Sequence, residues 1–187
     1  MKYLLLATLF TLCFSNAAKA EYLFHESIEY LSVKESNPKG LLTAISKRLK
    51  KRCKVSGHPL SCTTGPIYIK PSYTDLGKGQ CGISEIEFVV NAAYHFPIWT
   101  PQEPSHPKIH DRWRVIFENI ILHEKHHGKI RDKYMKQAYE KALKLKTHCK
   151  NIKRALTRIL EEFSYKEKRD NRRFDKQDKN IPTRFPN

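Results

Sequence analysis

The chain has 187 residues, and its 35 lysines and arginines against 19 acidic residues give a formal charge of +16. This length suits one domain with a single hydrophobic core. The excess of positive charge favours an anionic cell-envelope surface or acidic proteins as partners. No nucleic-acid recognition module is visible in the sequence, which argues against a specific nucleic-acid-binding protein.

Residues 1–20 have the pattern of a cleaved secretory signal. Lys2 gives a positive n-region, residues 3–14 form an apolar run too short to span a bilayer comfortably, and Ala18-Lys19-Ala20 offers a signal-peptidase site. Cleavage there leaves one mature domain, residues 21–187. We therefore expect an exported protein, periplasmic or secreted, and the alternative is an uncleaved N-terminal anchor.

The first half of the mature chain predicts strands separated by one helix. Alternating residues predict strands at 29–34 and 67–74, the second at a sheet edge because Pro71 cannot donate a ladder hydrogen bond. Leucine and isoleucine at helical spacing predict a helix over 41–52.

The clearest strand pattern covers residues 83–97. Apolar side chains alternate with polar ones, so that one face carries Ile86, Phe88, Val90, Ala92, Tyr94 and Phe96 and the other carries Glu85, Glu87, Asn91 and His95. This alternation predicts a half-buried antiparallel strand whose apolar face packs on the core. A proline-rich connector, residues 98–110, follows it.

From Asp111 onward the apolar residues recur with the period of a helix. Asp111 is the predicted N-cap of an amphipathic helix that runs to about residue 146, and a second helix follows Cys149 and ends near Arg173. The short link predicts an antiparallel hairpin, and the tail, 174–187, is irregular. The predicted fold class is α+β, with a small antiparallel sheet and an N-terminal helix followed by this long helical hairpin.

Four cysteines remain in the mature chain, an even number that indicates two disulfides in an exported protein. Cys53 and Cys62 are close in sequence and bracket a glycine and a proline, so we expect them to close a small loop. Cys81 and Cys149 would then form a long-range bridge. A four-cysteine zinc site is the competing interpretation, but the chain contains no C-x-x-C pair.

The first helix of the hairpin contains the pattern H-E-x-x-H at His123, Glu124 and His127. Histidines four apart lie one above the other on a helix, so both imidazoles can reach one metal, and the adjacent glutamate can reach a water on that metal. Both histidines also share the core-facing side of the helix, where unpaired polar groups are costly. We predict a zincin-like Zn²⁺ site with Glu124 as general base, while His126 points away toward solvent.

A third zinc ligand must come from another part of the chain. The metzincin extension would place glycine and histidine where the chain has Ile130 and Lys133. In a hairpin that bends at about 147–148, residues 123–127 lie opposite about 168–172. The carboxylates in range are Glu167, Asp170 and, just past the predicted helix end, Asp175 and Asp178. Each of them taken alone is more often a surface charge than a ligand.

The sequence resembles a bacterial family identified as predicted secreted zinc-dependent proteases, a domain of unknown function. The resemblance rests on CGISEIEF…FPIW (81–99), WRVIFENIILHEKHHGKI (113–130), Cys149 and FDKQDKN…RFP (174–186). It implies an α+β protease-like domain with the helix motif as its metal site.

The tail of that family reads Tyr-Asp, two residues, Thr, one residue and His-Gly. Here Phe174-Asp175 match the Tyr-Asp pair, Asp178 stands in the place of threonine, and Asn180-Ile181 replace His-Gly. If the family's aspartate is a ligand, the chain retains it. Geometry and resemblance together make Asp175 the first choice for the third ligand and Asp170 the second.

The expected function is that of an exported zinc-dependent metallopeptidase acting on protein or peptide substrates. We expect the substrate to lie along a free sheet edge, with 83–97 as the candidate strand. The sequence does not identify a group that stabilises the oxyanion; Tyr165 and His110 are candidates, but residues of this kind are more often ordinary surface or packing residues. The alternative is a non-catalytic, zinc-stabilised or metal-free basic cell-envelope binding protein, which the asparagine at 180 supports. A hydrolase of cell-wall peptides would share the same site.

Overall fold

The computed structural model describes residues 20–35, 38–54, 59–100 and 107–178. The predicted signal, apart from Ala20, lies outside the described residues, and so do Asn180 and Ile181. None of the helices in the described ranges is both long enough and apolar enough to cross a membrane.

The described residues form an α+β fold, as the sequence predicts. The elements in chain order are β1 (Ala20–Val33), α1 (Pro38–Cys53), β2 (Cys62–Thr64), β3 (Ile67–Gly77), β4 (Gln80–Trp99), α2 (Pro107–Leu143), β5 (Lys146–His148) and α3 (Ile152–Gln177). A short 3₁₀ turn, Cys149–Asn151, precedes α3.

β4 is the central strand of a mixed sheet. β1 runs parallel to it from Ala20 beside Ile86 to Val33 beside Trp99. β3 and β2 pair antiparallel with its opposite side, and β5 pairs antiparallel with its first residues. The sheet is mostly antiparallel, as predicted, and the parallel strand β1 is the exception. The chain between β1 and β4, which includes α1, is long enough for the crossover that a parallel pair requires.

The predicted free edge is wrong, because β4 has neighbours on both sides. The edge that the sequence places at Pro71 is confirmed within the described residues, where β3 pairs with β4 alone. The alternation predicted for 83–97 is confirmed for the core face, since all six of its apolar side chains are buried, but His95 of the opposite face is buried as well.

The helical hairpin is confirmed, with both helices longer than predicted at one end. α2 begins at Pro107, so Asp111 lies inside the helix and is not its N-cap. Proline suits the first helical position because its missing N–H needs no partner there. α3 ends at Gln177 and is capped by Asp178, whose N–H donates to the Phe174 carbonyl. Asp175 is therefore in the last turn of α3 and not beyond it.

Two apolar clusters lie along one face of β4, and the candidate site lies between them. The first joins Ala92, Tyr94 and Phe96 to α1 and the start of α2. The second joins Ile86, Phe88 and Val90 to the end of α2 and to α3. Each large apolar side chain buried in this way contributes about 1.5–3 kcal/mol. These clusters fix where the middle of α2 crosses the sheet.

Gly128 allows that crossing to be close. A Cβ at this position would lie 1.9 Å from the Tyr94 hydroxyl oxygen. A glycine in a helix interior costs about 1 kcal/mol relative to alanine, but any side chain here would push α2 away from β4.

Both predicted disulfides are present. Cys53 and Cys62 link the end of α1 to β2, with Cα atoms 6.5 Å apart. Cys81 and Cys149 link β4 to the turn before α3, with Cα atoms 4.7 Å apart. The first bridge therefore borders the candidate site, whereas the second ties the bend of the hairpin to β4.

Candidate metal centre

α2 places two histidines one helical turn apart on the side that faces α3. The Nε2 atoms of His123 and His127 are 3.0 Å apart. Their side chains are 12% and 13% exposed, so both rings are largely withdrawn from solvent. The i, i+4 spacing accounts for this arrangement, because such residues overlie each other on a helix.

α3 supplies a carboxylate to the same point. Asp175 Oδ1 lies 3.0 Å from His127 Nε2 and 3.4 Å from His123 Nε2. Ligands placed about 2.0–2.2 Å from a tetrahedral zinc ion are about 3.3–3.6 Å from one another. The three atoms, which we call the metal triad, lie within a few tenths of an ångström of these separations and can converge on one ion.

Outer hydrogen bonds orient both imidazoles. His123 Nδ1 lies 2.8 Å from Asp178 Oδ2, and His127 Nδ1 lies 2.9 Å from Asn171 Oδ1. Because both partners are acceptors, each Nδ1 carries a proton and donates it. The Nε2 lone pairs then face each other and Asp175, an arrangement that needs a cation or a proton between them. Histidines that bind metals usually make such outer contacts, so the donor set fits Zn²⁺.

Without a metal, the two histidines and Asp175 of the triad interact through shared protons. Burial lowers the pKa of His123 and of His127, but hydrogen bonds to Asp175 and to the outer partners outweigh it and raise both pKa values above normal. Burial opposes ionisation of Asp175, yet the two histidines hold the pKa of its carboxyl well below its usual range. A metal that binds here must displace the protons that these groups share.

Glu124 is buried beside the triad, with 4% of its surface exposed. Ser61 Oγ donates to Glu124 Oε1 at 2.7 Å, and the Thr63 hydroxyl donates to Oε2. Its carboxylate is thus held by one hydroxyl from β2 and one from the residue just before it. Glu124 and the triad line one cavity of about 380 Å³.

Residues 28–180 match the model of a family described as bacterial protein of unknown function (DUF922). The chain belongs to this family. No curated protein and no solved structure matches the chain. The DUF922 match spans the metal triad and Glu124 but assigns them no activity.

Asp170, the second choice for the third ligand, does not join the triad of this DUF922 protein. Its carboxylate accepts a hydrogen bond from the Tyr134 hydroxyl and contacts Arg169. The predicted register of the hairpin is three to six residues off, because His123 faces Asp175 and Asp178 where about 172 was expected. The prediction assumed a tight bend at 147–148, whereas β5 and a 3₁₀ turn occupy the link between the helices.

Three other residues that the sequence analysis singled out lie outside the metal triad. His126 is exposed, as predicted, but its ring stacks on Phe174 with centroids 3.9 Å apart. His110 stacks on Trp99 with centroids 4.9 Å apart, and Tyr165 is 63% exposed. Neither His110 nor Tyr165 lines the cavity of Glu124.

Sequence reasoning missed the partners that hold the site together. Asn171 lies one turn before Asp175 on α3, within the stretch predicted to face the histidines, so an i, i+4 search from the carboxylate could have found it. Ser61 and Thr63 carry no comparable signal. Their role depends on β2 lying beside α2, which no local pattern encodes.

Proposed function

We propose that the protein is an exported zinc-dependent metallopeptidase. The observation that carries the proposal is the convergence of His123 Nε2, His127 Nε2 and Asp175 Oδ1 within 3.0–3.4 Å of one another, beside the buried Glu124. Export is supported by the signal-like residues 1–20 and by two disulfides.

Three protein ligands leave a fourth position open, which is typical of catalytic zinc sites and not of structural ones. Zinc bound to this triad would lower the pKa of a water molecule to about 7 and polarise a substrate carbonyl. Asp178 and Asn171 hold the two imidazoles in the tautomer that such binding requires.

Glu124 is the general base of this proposal. It follows the first histidine in sequence and lines the same cavity as the triad, so its carboxylate can take a proton from the attacking water and pass it to the leaving amine. Ser61 and Thr63 hold the carboxylate in one orientation during both transfers. The same motif carries this chemistry in metalloproteases, which favours a peptide bond as the substrate.

The test compares the wild type with Glu124→Gln and with Glu118→Gln, a control at an exposed position of α2. Zinc content and hydrolysis of an unfolded protein are measured for each. All three should bind one zinc per chain. Cleavage should fall at least about 100-fold in Glu124→Gln alone, the usual contribution of a general base.

Two outcomes would overturn the proposal in different ways. Failure of the wild type to bind zinc would refute the proposed metal centre. Stoichiometric zinc binding without Glu124-dependent cleavage of any protein or cell-wall peptide would refute the enzymatic function and favour a zinc-stabilised envelope protein.

A further inference from the structure

Arg131 brings a positive charge into the cavity of the metal triad. It lies one helical turn beyond His127 on α2, and its side chain is 15% exposed. Among the described residues that line this cavity, Arg131 is the only one with a permanent positive charge. Three acidic side chains, those of Glu124, Glu167 and Asp175, line the same cavity.

The guanidinium of Arg131 is incompletely paired. Its Nη2 donates to the Gly65 carbonyl, and its Nη1 lies 3.5 Å from Glu167 Oε1, too far for a strong hydrogen bond. Its buried Nε has no hydrogen-bond partner among the described residues. A guanidinium offers five N–H donors, so this one keeps the capacity to bind another acceptor.

Glu167 is a weak counter-ion for this arginine. It is buried in the same cavity, and burial raises the pKa of its carboxyl even though Arg131 opposes the shift. A substrate carboxylate with bidentate geometry would pair with the guanidinium better than Glu167 does, because the planar fork of arginine matches both oxygens.

We infer that Arg131 is the centre of a carboxylate-binding subsite, and that the peptides cleaved here carry a carboxylate next to the scissile bond. This inference rests on the proposed peptidase function. Successive Cα atoms of a peptide are about 3.8 Å apart. Arg131 lies about 6 Å along α2 from His127. A carboxylate one residue beyond a scissile bond held at the triad therefore falls within reach of the arginine side chain.

The carboxylate can come from a free C-terminus or from an acidic side chain, and a binding experiment separates the two. The probes are three N-acetylated peptides of one sequence: the free acid, its C-terminal amide, and an amide with glutamate as the last residue. They are titrated, with and without zinc, into Glu124→Gln, which would bind peptides without cleaving them. The same titrations use this variant combined with Arg131→Gln, Glu167→Gln or Arg114→Gln, the last an exposed control on α2.

We expect one carboxylate peptide to bind about 10- to 100-fold more tightly than the plain amide, the range for a hydrogen-bonded charge pair. If it is the free acid, the subsite binds a C-terminus; if it is the glutamate amide, it binds an acidic side chain. Arg131→Gln should abolish the preference, and Arg114→Gln should leave it unchanged. Glu167→Gln should increase it several-fold, because the competing carboxylate is gone.

The opposite effects of the Arg131 and Glu167 variants distinguish a subsite from a loss of folding. Equal binding of all three peptides would overturn the subsite and leave the peptidase proposal intact. Equal weakening of all three by Arg131→Gln, with a lower melting temperature, would make the arginine structural and overturn the inference. An Arg131-dependent preference in a protein that cleaves no peptide would support the subsite and refute the peptidase.

Discussion

Replacing Asp175 with asparagine tests whether α3 completes the metal centre. The substitution keeps the size of the side chain but removes the negative charge that lies 3.0 and 3.4 Å from the two histidines. An amide oxygen is also a poor zinc ligand. Asp178→Asn changes the outer partner of His123, and Asp170→Asn changes a carboxylate outside the triad.

The contacts set the order of magnitude of the loss of zinc affinity expected for each variant. Loss of an outer partner typically lowers metal affinity 10- to 100-fold. Loss of a direct ligand should exceed that, so Asp175→Asn should weaken zinc binding by at least about 100-fold, or about 2.7 kcal/mol. At zinc concentrations that saturate both proteins, zinc-induced stabilisation falls by the same amount. For a domain of this size, the zinc-induced rise in Tm should shrink by about 5–11 °C.

Competition titration against a chromophoric chelator measures the zinc Kd, and thermal melts with zinc or with chelator measure the rise in Tm. The expected order of loss is Asp175→Asn, then Asp178→Asn, with Asp170→Asn close to wild type. Wild-type affinity in Asp175→Asn would refute the triad. A larger loss in Asp178→Asn than in Asp175→Asn would move the third ligand to the helix cap.

Three further predictions follow from the same contacts. Ser61→Ala combined with Thr63→Val should leave zinc affinity unchanged but lower kcat for peptide cleavage about 10-fold or more, since Glu124 loses both hydroxyl donors; an unaltered kcat would contradict its positioning. Gly128→Ala should lower the free energy of unfolding in guanidinium titrations by up to about 2 kcal/mol, because its Cβ meets the Tyr94 hydroxyl and this overpacking, about 1–3 kcal/mol, outweighs the gain of about 1 kcal/mol in helix propensity; an unchanged midpoint would contradict the close crossing. The raised pKa values of the two triad histidines stabilise the metal-free protein below their ordinary value of 6.5, and this contribution is lost as pH rises through the raised values. The lowered pKa of the triad aspartate gives stability above 3.8 that is lost on further acidification. The rise in Tm on adding zinc should therefore grow between pH 5.5 and pH 8, and a rise independent of pH would argue against proton displacement.

The elements that could be predicted from the sequence are those whose pattern is local. The alternation in 83–97 and the helical period after Asp111 follow from which side chains one face buries, and both survive in the structure. The direction of β1 could not be predicted in this way, because its partner β4 follows it only after α1, β2 and β3. Strand alternation is the same in parallel and antiparallel pairs with one buried face.

In the candidate site, too, the features with a local sequence pattern could be predicted and the others could not. The relation of His123 to His127 is helical geometry and needs only their spacing. Asp175 could be placed near them because a hairpin fixes which residues face each other, but the exact register depends on the path of the chain through the bend. The hydroxyl donors to Glu124 depend on α2 crossing the sheet beside β2.

The metal triad and the disulfide of Cys149 hold opposite ends of the same hairpin. The bridge ties the start of α3 to β4, whereas Asp175 lies in the last turn of that helix. Helix ends fray more readily than helix interiors because their last carbonyls lack intrahelical partners. Three side chains of this last stretch, Asn171, Asp175 and Asp178, contact the histidines. Metal binding at the triad would therefore be coupled to the folding of this last turn, and part of the zinc-binding free energy would go into ordering the end of α3.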